Sequence, residues 1–301
     1  MILQHCRFCR SPRICSVLKR DDLCIFRCID CGVVFLGNDL NERDIEGLYK
    51  YYSYSAFSNY LSPTTKIRYK KLLDSFEKYR KNNTIIDVGC GAGYFMLSAS
   101  TKGWQVHGTE ISEEAITLAE EKKQHVFKGD IASLDLEKDK YDIATLFELV
   151  EHASNPEDII KKLSSVLRPG GLLYITTPNY NSLTRLLLRD RWNLFHKEHL
   201  FYFTDKTLKA LLEKYGFRIK TMRTENISLI EILKIFKRGK SFDFTKSYET
   251  QERIRALAEK RPLFSIMKRL ANFILNAFNI GDSVYIFAEK MSTIPTNIGI
   301  L

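Results

Sequence analysis

The sequence has few residues that interrupt a folded core and no stretch that would span a bilayer. Its 301 residues include 7 prolines and 2 tryptophans. No apolar run approaches the ~18 residues that a transmembrane helix requires. The opening ten residues lack the charged-then-apolar order of a secretory signal. These absences argue against a collagenous, membrane-embedded or secreted chain, and we expect a cytoplasmic protein.

The composition is that of a globular protein with an uneven charge. Apolar residues make up 45% and charged residues 27%, and the formal net charge is +10. Between Asn181 and Gly281 there are 21 basic and 10 acidic residues, so this region carries the excess. Such a region favours an anionic partner, which could be phosphate, nucleic acid or a membrane surface. Solvated lysines on helix faces explain it equally well.

Cysteine is scarce outside the amino terminus, where six of the seven cysteines lie. Cys6 and Cys9 form one Cys-x-x-Cys pair, and Cys28 and Cys31 form another, with 18 residues between the pairs. This spacing is typical of a four-cysteine zinc ribbon, because each short turn can direct two thiolates at one tetrahedral ion. Four thiolates close the coordination shell, so we expect structural rather than catalytic zinc. The other two cysteines of this segment are expected to be packing residues.

The central region alternates apolar runs with helical stretches, which predicts a parallel α/β sheet. One apolar run ends in Asp87, Gly89, Gly91 and Gly93, and a helix follows. Glycines let the backbone approach a ligand closely, and the start of a helix offers unpaired N–H groups. The next strand ends in Glu110, whose carboxylate can accept hydrogen bonds from both hydroxyls of a ribose.

With these motifs in this order, the chain resembles the class I S-adenosylmethionine-dependent methyltransferases, in the branch that carries an amino-terminal zinc ribbon. The residues that carry the resemblance are the glycine motif, Glu110, Asp130, Phe147 to His152, Leu167 to Gly171 and Thr177 to Asn179. It implies a Rossmann-like sheet and S-adenosylmethionine as cofactor. It also implies contacts to the methionine part from Asp87, the three glycines and Phe147, to the ribose from Glu110, and to the adenine from Ile111 and Asp130.

The candidates for activating a methyl acceptor follow the fourth predicted strand of this region. Glu148, Glu151 and His152 would share one face of a helical turn, and His199 comes from a later segment. The set resembles that of ubiquinone-pathway O-methyltransferases and small-RNA 2′-O-methyltransferases, which implies a divalent cation such as Mg²⁺. Two alternatives stay open. His152 could act as a metal-free base with His199 as its partner, or these groups could only support the pocket.

We predict five segments along the chain. They are a zinc ribbon at 1–40, a tyrosine-rich linker or lid at 41–63, a methyltransferase core at 64–224, a helical insert at 225–282, and a final strand and tail at 283–301. Within the insert, Leu229 to Phe236 and Leu263 to Phe278 show apolar residues at helical spacing. We expect the apolar stripe of the second to pack over the substrate or against a second copy. Peripheral contact with a membrane is the alternative.

The sequence therefore predicts an enzyme that methylates a hydroxyl of a small molecule. A sugar, a nucleotide-sugar or a pathway intermediate would fit, and the acceptor could be a saccharide or lipid-linked. The runner-up is a metal-dependent RNA 2′-O-methyltransferase, whose basic region would contact phosphates. A third hypothesis is a non-catalytic interaction protein that docks through its ribbon, and the intact glycine and Glu-His motifs argue against it.

Overall fold

The computed structural model describes residues 2–40, 61–228 and 262–292. A four-stranded antiparallel sheet and a seven-stranded mixed sheet organise these residues. The strands are β1 (Ile14–Arg20), β2 (Leu23–Cys28), β3 (Val34–Leu36), β4 (Thr84–Val88), β5 (Gln105–Glu110), β6 (His125–Lys128), β7 (Tyr141–Phe147), β8 (Leu167–Pro178), β9 (Phe201–Tyr202), β10 (Phe217–Glu225) and β11 (Ser283–Lys290). The helices are α1 (Pro63–Phe76), α2 (Tyr94–Ser100), α3 (Glu113–Glu120), α4 (Pro156–Val166), α5 (Leu183–Leu188), α6 (Asp205–Lys214) and α7 (Pro262–Ala277).

The larger sheet confirms the predicted Rossmann-like α/β fold. Its strand order is β10-β11-β8-β7-β4-β5-β6, and β11 alone runs against the others. The chain moves outward from β4 through β5 to β6 and then returns to place β7 on the other side of β4. In open α/β sheets, ligands bind in the crevice that such a reversal opens at the carboxyl ends of the strands. The residues that follow β4 and β7 are therefore candidates for a binding site.

Neighbouring residues of the central strands support opposite faces of this sheet. Ile85 and Ile143 pack in a hydrophobic cluster with residues of α1 and α2. Ile86 and Ala144, the next residues along each strand, pack in a second cluster with residues of α4 and α6. Because both faces are covered by helices, the central strands are buried along nearly their whole length and have adjacent apolar residues rather than a strict apolar–polar alternation. This explains why they are visible in the sequence as short apolar runs.

The amino-terminal ribbon is joined to the larger domain by a strand pair. Its last strand, β3, pairs with β9, placing Val34 opposite Tyr202 and Phe35 opposite Phe201. The ring of Phe8, from the first cysteine turn, packs edge-on to Phe201 at 6.3 Å between centroids. Phe201 is only 1% exposed, and burying such a side chain contributes about 1.5–3 kcal/mol. The ribbon thus shares a sheet and a core with residues far along the chain.

Two element boundaries have local causes. Helix α1 begins at Pro63, where the Ser62 hydroxyl caps it by accepting a hydrogen bond from the Thr65 amide at 3.1 Å. Strand β8 includes residues 168–171 in spite of their proline and two glycines, because the buried Arg168 guanidinium donates to Asp142 at 2.5 Å and holds this stretch against β7.

The linker prediction and part of the insert prediction lie outside the described residues. Residues 41–60, which hold most of the tyrosine-rich segment, and residues 229–261, which hold the first predicted insert helix, are in this group. The second predicted helix corresponds to α7, and the predicted final strand corresponds to β11. No helix in the three described ranges is both long enough and apolar enough to cross a membrane.

The apolar stripe predicted for this helix lies on the exposed side of α7. Met267 and Leu270 from the stripe are each 60% exposed. The inward side instead carries Asn272 and Asn276, whose side-chain oxygens accept hydrogen bonds from backbone amides at the end of β10, both at 3.0 Å. The physical reason is that the strand end has unpaired N–H groups, which asparagine can satisfy and an aliphatic side chain cannot.

Candidate functional site

The turn after β4 brings three glycines into a conformation that other residues rarely adopt. Gly89, Gly91 and Gly93 have φ values of 67°, 52° and 74°, in the left-handed region that glycine enters without steric cost. A Cβ added at Gly89 would lie 2.8 Å from the Leu149 side chain. Gly93 is also the residue from which α2 begins. The result is a tight turn of bare backbone at the crevice, with the start of a helix behind it.

Glu110, at the end of β5, is held in place by backbone amides. One carboxylate oxygen accepts from the Gly91 amide at 3.0 Å, and the other accepts from the Ile111 and Ser112 amides at 2.8 and 3.0 Å. The side chain is buried. Because each carboxylate oxygen has more than one lone pair, this fixed group can still accept from the hydroxyls of a bound ribose. The contact with Gly91 also ties Glu110 to the glycine turn.

Asp87 lies beneath the glycine turn as a fully enclosed carboxyl group. Burial raises its pKa to about 7, the charge of Glu110 adds to this effect, and a hydrogen bond from the Thr145 hydroxyl opposes it. That hydroxyl donates to the Asp87 Oδ1 at 2.6 Å. A cationic group near Asp87 would return the pKa to a lower value. The site therefore fits an ammonium group, such as that of a methionine moiety.

The other three residues predicted to contact the cofactor have different surroundings. Ile111 follows Glu110 with 48% of its side chain exposed, so its surface is open to a ligand. Asp130 caps a short 3₁₀ turn by accepting from the Ala132 amide at 2.9 Å. Phe147, at the end of β7, packs against Phe95 of α2 at 4.9 Å between ring centroids. The capping contact is sufficient to explain Asp130 without any ligand.

The segment after β7 is a turn rather than the helical turn that we predict from its spacing. Glu148 has a φ of 49°, and its amide donates to the Thr176 carbonyl at 3.0 Å. Its side chain is exposed. The group of potential metal ligands that the structure brings together consists of Glu151, His152 and His199, without Glu148. The left-handed backbone at Glu148 directs the chain into a tight turn, which the 3.6-residue helical spacing does not describe.

Glu151, His152 and His199 form a compact triad, with one ligand-capable atom from each within 4.8 Å of the others. The His152 Nδ1 donates to the Glu198 carbonyl at 2.9 Å, and the His199 Nδ1 donates to the Leu194 carbonyl at 3.1 Å. In these tautomers each Nε2 carries a lone pair. Backbone carbonyls that fix a histidine in this way are the usual support of metal-binding or basic imidazoles.

Glu151 gives the triad a carboxylate oxygen that is buried among protein atoms. Its Oε2 accepts from the Thr177 hydroxyl at 2.8 Å, whereas Oε1 has no hydrogen-bond partner in the described part of the chain. Oε1 lies 3.9 Å from the His152 Nε2. Burial raises the pKa of Glu151 well above its usual range, and the charge of Glu148 adds to this effect. A cation would compensate a carboxylate placed in this way.

The triad and the glycine turn are connected through the segment that follows β7. Leu149 of this segment has the side chain nearest to a Cβ placed at Gly89, and Glu151 is two residues later. A group able to accept a proton or a cation therefore follows closely in the chain after a residue that packs on the glycine turn. Sequence reasoning named all three triad residues and included Thr177 in a family motif without giving it a role. It did not predict the contacts of Thr177, Leu194 and Glu198, whose hydroxyl or backbone carbonyls position the triad.

The four predicted zinc ligands converge at the amino terminus. The Cys6 and Cys31 sulfurs are 3.7 Å apart, and those of Cys9 and Cys28 are 3.5 Å apart. Tetrahedral Zn–S bonds of about 2.3 Å would put sulfurs at about 3.8 Å from one another. The hydrogen bond from Cys31 lowers the pKa of Cys6 to about 5. Sulfur type, number and spacing all fit a zinc ion.

The short strand β9 connects the ribbon with the triad. The Phe201 amide donates to the Glu151 carbonyl at 3.0 Å, and the Leu36 amide of the ribbon donates to the Leu200 carbonyl at 3.0 Å. His199 is the residue immediately before Leu200. Two members of the triad are therefore backbone neighbours of a strand that pairs with the ribbon. Nothing in the sequence pattern of residues 200–203 indicates this pairing.

Comparison with known proteins gives one family and a set of relatives. The family model described as a methyltransferase domain matches residues 64–221. Similar proteins include the ubiquinone biosynthesis O-methyltransferases of Hydrogenovibrio crunogenus, 31% identical over 129 residues, and of Leptothrix cholodnii, 32% identical over 111 residues. These matches cover 40% and 34% of this chain, and 52% and 47% of the relatives. The chain thus spans about half the length of these relatives.

Solved structures with a similar fold include a SAM-dependent methyltransferase from Archaeoglobus fulgidus. It is 22% identical, with a TM-score of 0.52, and the match covers 75% of this chain and 93% of that one. Phosphoethanolamine N-methyltransferase 2 from Haemonchus contortus, in complex with S-adenosyl-L-methionine, is 17% identical with a TM-score of 0.55. That match covers 86% of this chain and 62% of the other. At these identities the likeness concerns the fold.

Proposed function

The chain belongs to the class I S-adenosylmethionine-dependent methyltransferases, and from this we propose that it transfers a methyl group to a hydroxyl of a small molecule. The observation that carries the proposal is the triad of Glu151, His152 and His199, which begins two residues after the side chain that packs on Gly89. Oxygen acceptors need a group that removes or acidifies their proton, and the triad has that chemistry. Relatives named as O-methyltransferases support the same choice.

On the cofactor side we assign one role to each residue of the crevice. Asp87 holds the ammonium of the methionine part, and the glycine turn gives that part room against the backbone. Glu110 accepts from both ribose hydroxyls, because three amides already hold its carboxylate. Ile111 and Asp130 flank the adenine, and Phe147 closes the methionine end.

On the acceptor side we propose that the triad holds a divalent cation. Two imidazole nitrogens and one carboxylate oxygen are a ligand set that suits several such ions. The buried Glu151 Oε1, without a partner among the described residues, supports a positive ligand at this point. A cation there would lower the pKa of a bound hydroxyl. We leave Glu148 out of the ligand set because its side chain is exposed and lies outside the group.

The chemistry is a displacement at a methyl carbon. S-adenosylmethionine supplies a sulfonium, which is a good leaving group. The protein has to hold the acceptor oxygen in line with the carbon–sulfur bond, and correct placement alone removes a large part of the barrier. The triad, through a bound cation, would acidify the acceptor hydroxyl, whose proton would pass to water. The resulting oxygen would form a bond to the methyl carbon while the carbon–sulfur bond breaks, and the electron pair of that bond would remain on sulfur. Glu110 and Asp87 would hold S-adenosylmethionine in a fixed orientation.

We also propose that Cys6, Cys9, Cys28 and Cys31 bind zinc, which would place the chain in the zinc-ribbon branch of the family. The four sulfurs support this assignment by their number and spacing. A shell of four thiolates has no position for a substrate. The zinc would therefore stabilise the ribbon and take no part in methyl transfer.

The first test is label transfer. Purified protein and methyl-labelled S-adenosylmethionine are added to a host extract, which is then divided into RNA, lipid and soluble small-molecule fractions. We expect label in the small-molecule or lipid fraction, on an oxygen. Label in RNA would support the RNA methyltransferase hypothesis instead. Absence of label in all fractions, together with undetectable affinity for S-adenosylhomocysteine, would contradict an enzymatic function.

A second test separates the cation from a metal-free base. We expect turnover to stop after dialysis against a chelator for divalent ions and to return with Mg²⁺ or Mn²⁺, while zinc in the ribbon is monitored separately. Turnover that survives chelation would contradict the cation and would leave His152 Nε2 as the proton acceptor. If the ribbon loses zinc under the same conditions, the experiment is repeated with a weaker chelator. The number of zinc ions per protein chain is the control.

A further inference from the structure

The exposed side of α7 is a surface that the proposed active site does not use. Phe273 and Phe278 are each 71% exposed, and Met267 and Leu270 are each 60% exposed. Single exposed apolar residues are ordinary in soluble proteins. A band of four large apolar side chains on one helix is different, because an uninterrupted apolar surface of this kind marks an interaction site.

The helix cannot bury this band by rotating about its axis, because its opposite side already contacts the rest of the protein. Leu275, at 5% exposure, packs inward. Asn272 and Asn276 accept hydrogen bonds from the amides of Asn226 and Thr224, both at 3.0 Å. Turning the band inward would break both hydrogen bonds and expose Leu275. The orientation is therefore a stable property of this part of the fold.

A second helix near the carboxyl end of α7 also has exposed apolar side chains. Leu186 and Leu187 of α5 are 47% and 49% exposed. The first residue of α5, Leu183, donates its amide to the carbonyl of Ile280 at 2.8 Å, just beyond the end of α7. The exposed leucines lie within one helical turn of that contact. We call the exposed side chains of α7 and α5 together the α7–α5 face.

The segments that carry the α7–α5 face have more basic than acidic residues. Residues 183–191 and 267–282 contain two carboxylates, Asp190 and Asp282, and the Asp282 carboxylate accepts a hydrogen bond from the Thr184 hydroxyl of α5 at 2.9 Å. The same segments contain five basic residues: Arg185, Arg189, Arg191, Lys268 and Arg269. Arg189, Arg191 and Arg269 are exposed. A second copy docking here by twofold symmetry would bring like charges together, which opposes that contact. An anionic partner with an apolar layer beneath its charges fits both properties.

We propose that the α7–α5 face binds an anionic lipid membrane. The phenylalanines and neighbouring aliphatic residues of α7 would enter the boundary between headgroups and acyl chains, and the arginines would contact lipid phosphates. This is the arrangement of a helix that lies in a membrane surface without crossing it. The proposal goes beyond methyl transfer and does not depend on it.

The test is flotation of the full chain with vesicles. Vesicles of phosphatidylcholine alone are compared with an equimolar mixture of phosphatidylcholine and phosphatidylglycerol. We expect binding to the anionic vesicles, weakening as salt is raised. Phe273→Ser and Phe278→Ser should each lower the partition constant about tenfold or more. Ile29→Ser is the matched control, because Ile29 is 56% exposed on the ribbon. All three variants should keep the affinity for S-adenosylhomocysteine.

A second measurement covers the case in which a serine variant folds poorly. Phe273→Trp keeps an apolar side chain and places a fluorophore on the α7–α5 face, whereas the natural tryptophans, Trp104 and Trp192, are each 3% exposed. We expect its emission to shift to shorter wavelength when anionic vesicles are added. An unchanged emission, or vesicle binding that is equal in the wild-type chain and both serine variants, would overturn the proposal. So would a dimer that the serine variants convert to monomers, because the face would then join two copies.

Discussion

The two clusters of potential metal ligands in this chain are built in opposite ways. The cysteine cluster takes all four ligands from two short turns of the ribbon, and its four sulfurs are enough to fill the coordination shell of one zinc ion. The triad takes ligands from two segments that are far apart in sequence and keeps one carboxylate oxygen without a partner in the described ranges. A complete shell serves structure, whereas an incomplete one can accept a substrate oxygen. The difference matches the roles that we propose for the two clusters, a structural role for the cysteines and a catalytic role for the triad.

The comparison also shows that the two clusters are not independent. The strand β9 pairs with the ribbon on one side, and its Phe201 amide donates to the Glu151 carbonyl on the other. Disturbing the cysteine cluster should therefore affect the triad, while disturbing the triad should leave the cysteine cluster intact. Four substitutions are described below, from the largest expected effect to the smallest, and the first two test this one-way dependence.

Cys28→Ser should have the largest effect because it opens the closed cluster. Structural zinc contributes about 10–16 kcal/mol of apparent binding free energy in zinc-finger peptides, so we expect loss of zinc and of the ribbon fold. Turnover should be lost as well, since β9 loses its partner. Zinc stoichiometry by mass spectrometry and methyl transfer are the measurements. Cys15→Ser, at an exposed position, is the control. Normal zinc content in Cys28→Ser would contradict the ribbon assignment.

His152→Ala should abolish most turnover and leave the rest of the molecule unchanged. Removing a group that activates the acceptor costs about 10²–10⁴-fold in rate. The zinc content and the affinity for S-adenosylhomocysteine should stay at wild-type values, because the His152 ring is held by the Glu198 carbonyl and packs against His199, away from the cysteines and the residues assigned to the cofactor. Kinetics and calorimetry measure these quantities. His125→Ala, at an exposed position on β6, should have no effect. A wild-type rate in His152→Ala would remove the triad from the mechanism.

Glu110→Gln tests the cofactor crevice apart from both clusters. The substitution keeps the size of the side chain and removes its charge, and charge-assisted hydrogen bonds contribute about 1.5–3 kcal/mol. We therefore expect the affinity for S-adenosylhomocysteine to fall about 10–100-fold. Titration calorimetry is the measurement. Glu113→Gln, three residues later and exposed, is the matched control. Equal affinity in both variants would show that Glu110 does not contact the ligand.

Thr177→Val should have the smallest effect of the four. It removes the hydroxyl that donates to Glu151 Oε2 at 2.8 Å and leaves every member of the triad in place. Partners of metal ligands typically contribute about 10–100-fold in metal affinity or activity, and we expect the lower end. The concentration of Mg²⁺ that gives half-maximal turnover should rise, and added Mg²⁺ should restore the rate. An equal loss at every Mg²⁺ concentration would indicate a packing defect. Thr117→Val, exposed on α3, is the control.

Much of this molecule could be predicted from the sequence where function depends on local spacing. The cysteine pairs, the glycine turn with Glu110, and the alternating strands and helices are all patterns of neighbouring residues. The triad residues could be named, but not their geometry. The helical spacing included Glu148, whereas a left-handed residue turns the chain there. Such a backbone conformation depends on the packing of Leu149 and the hydrogen bond to Thr176 rather than on residue spacing.

The orientation of α7 shows a different limit. Apolar periodicity identifies a face, and the usual assumption is that this face turns inward. Here two asparagines satisfy the end of β10, and the apolar face remains outside. Periodicity gives no information about unpaired backbone groups on a neighbouring strand. The β3–β9 pair was equally hidden, because β9 has only two residues and no pattern of its own.

The β3–β9 pair has a consequence for the order of folding during synthesis. Residues 2–36 leave the ribosome early, and their cysteines can bind zinc at once. The edge of β3 then stays unpaired until residues 201–202 have been synthesised, which takes on the order of ten seconds at the usual rates of translation. During that time the edge is open to other strands. Zinc binding would fold the ribbon early and keep its unpaired edge short and rigid until β9 is made. Zinc supply would therefore affect the yield of folded protein before it affects methyl transfer.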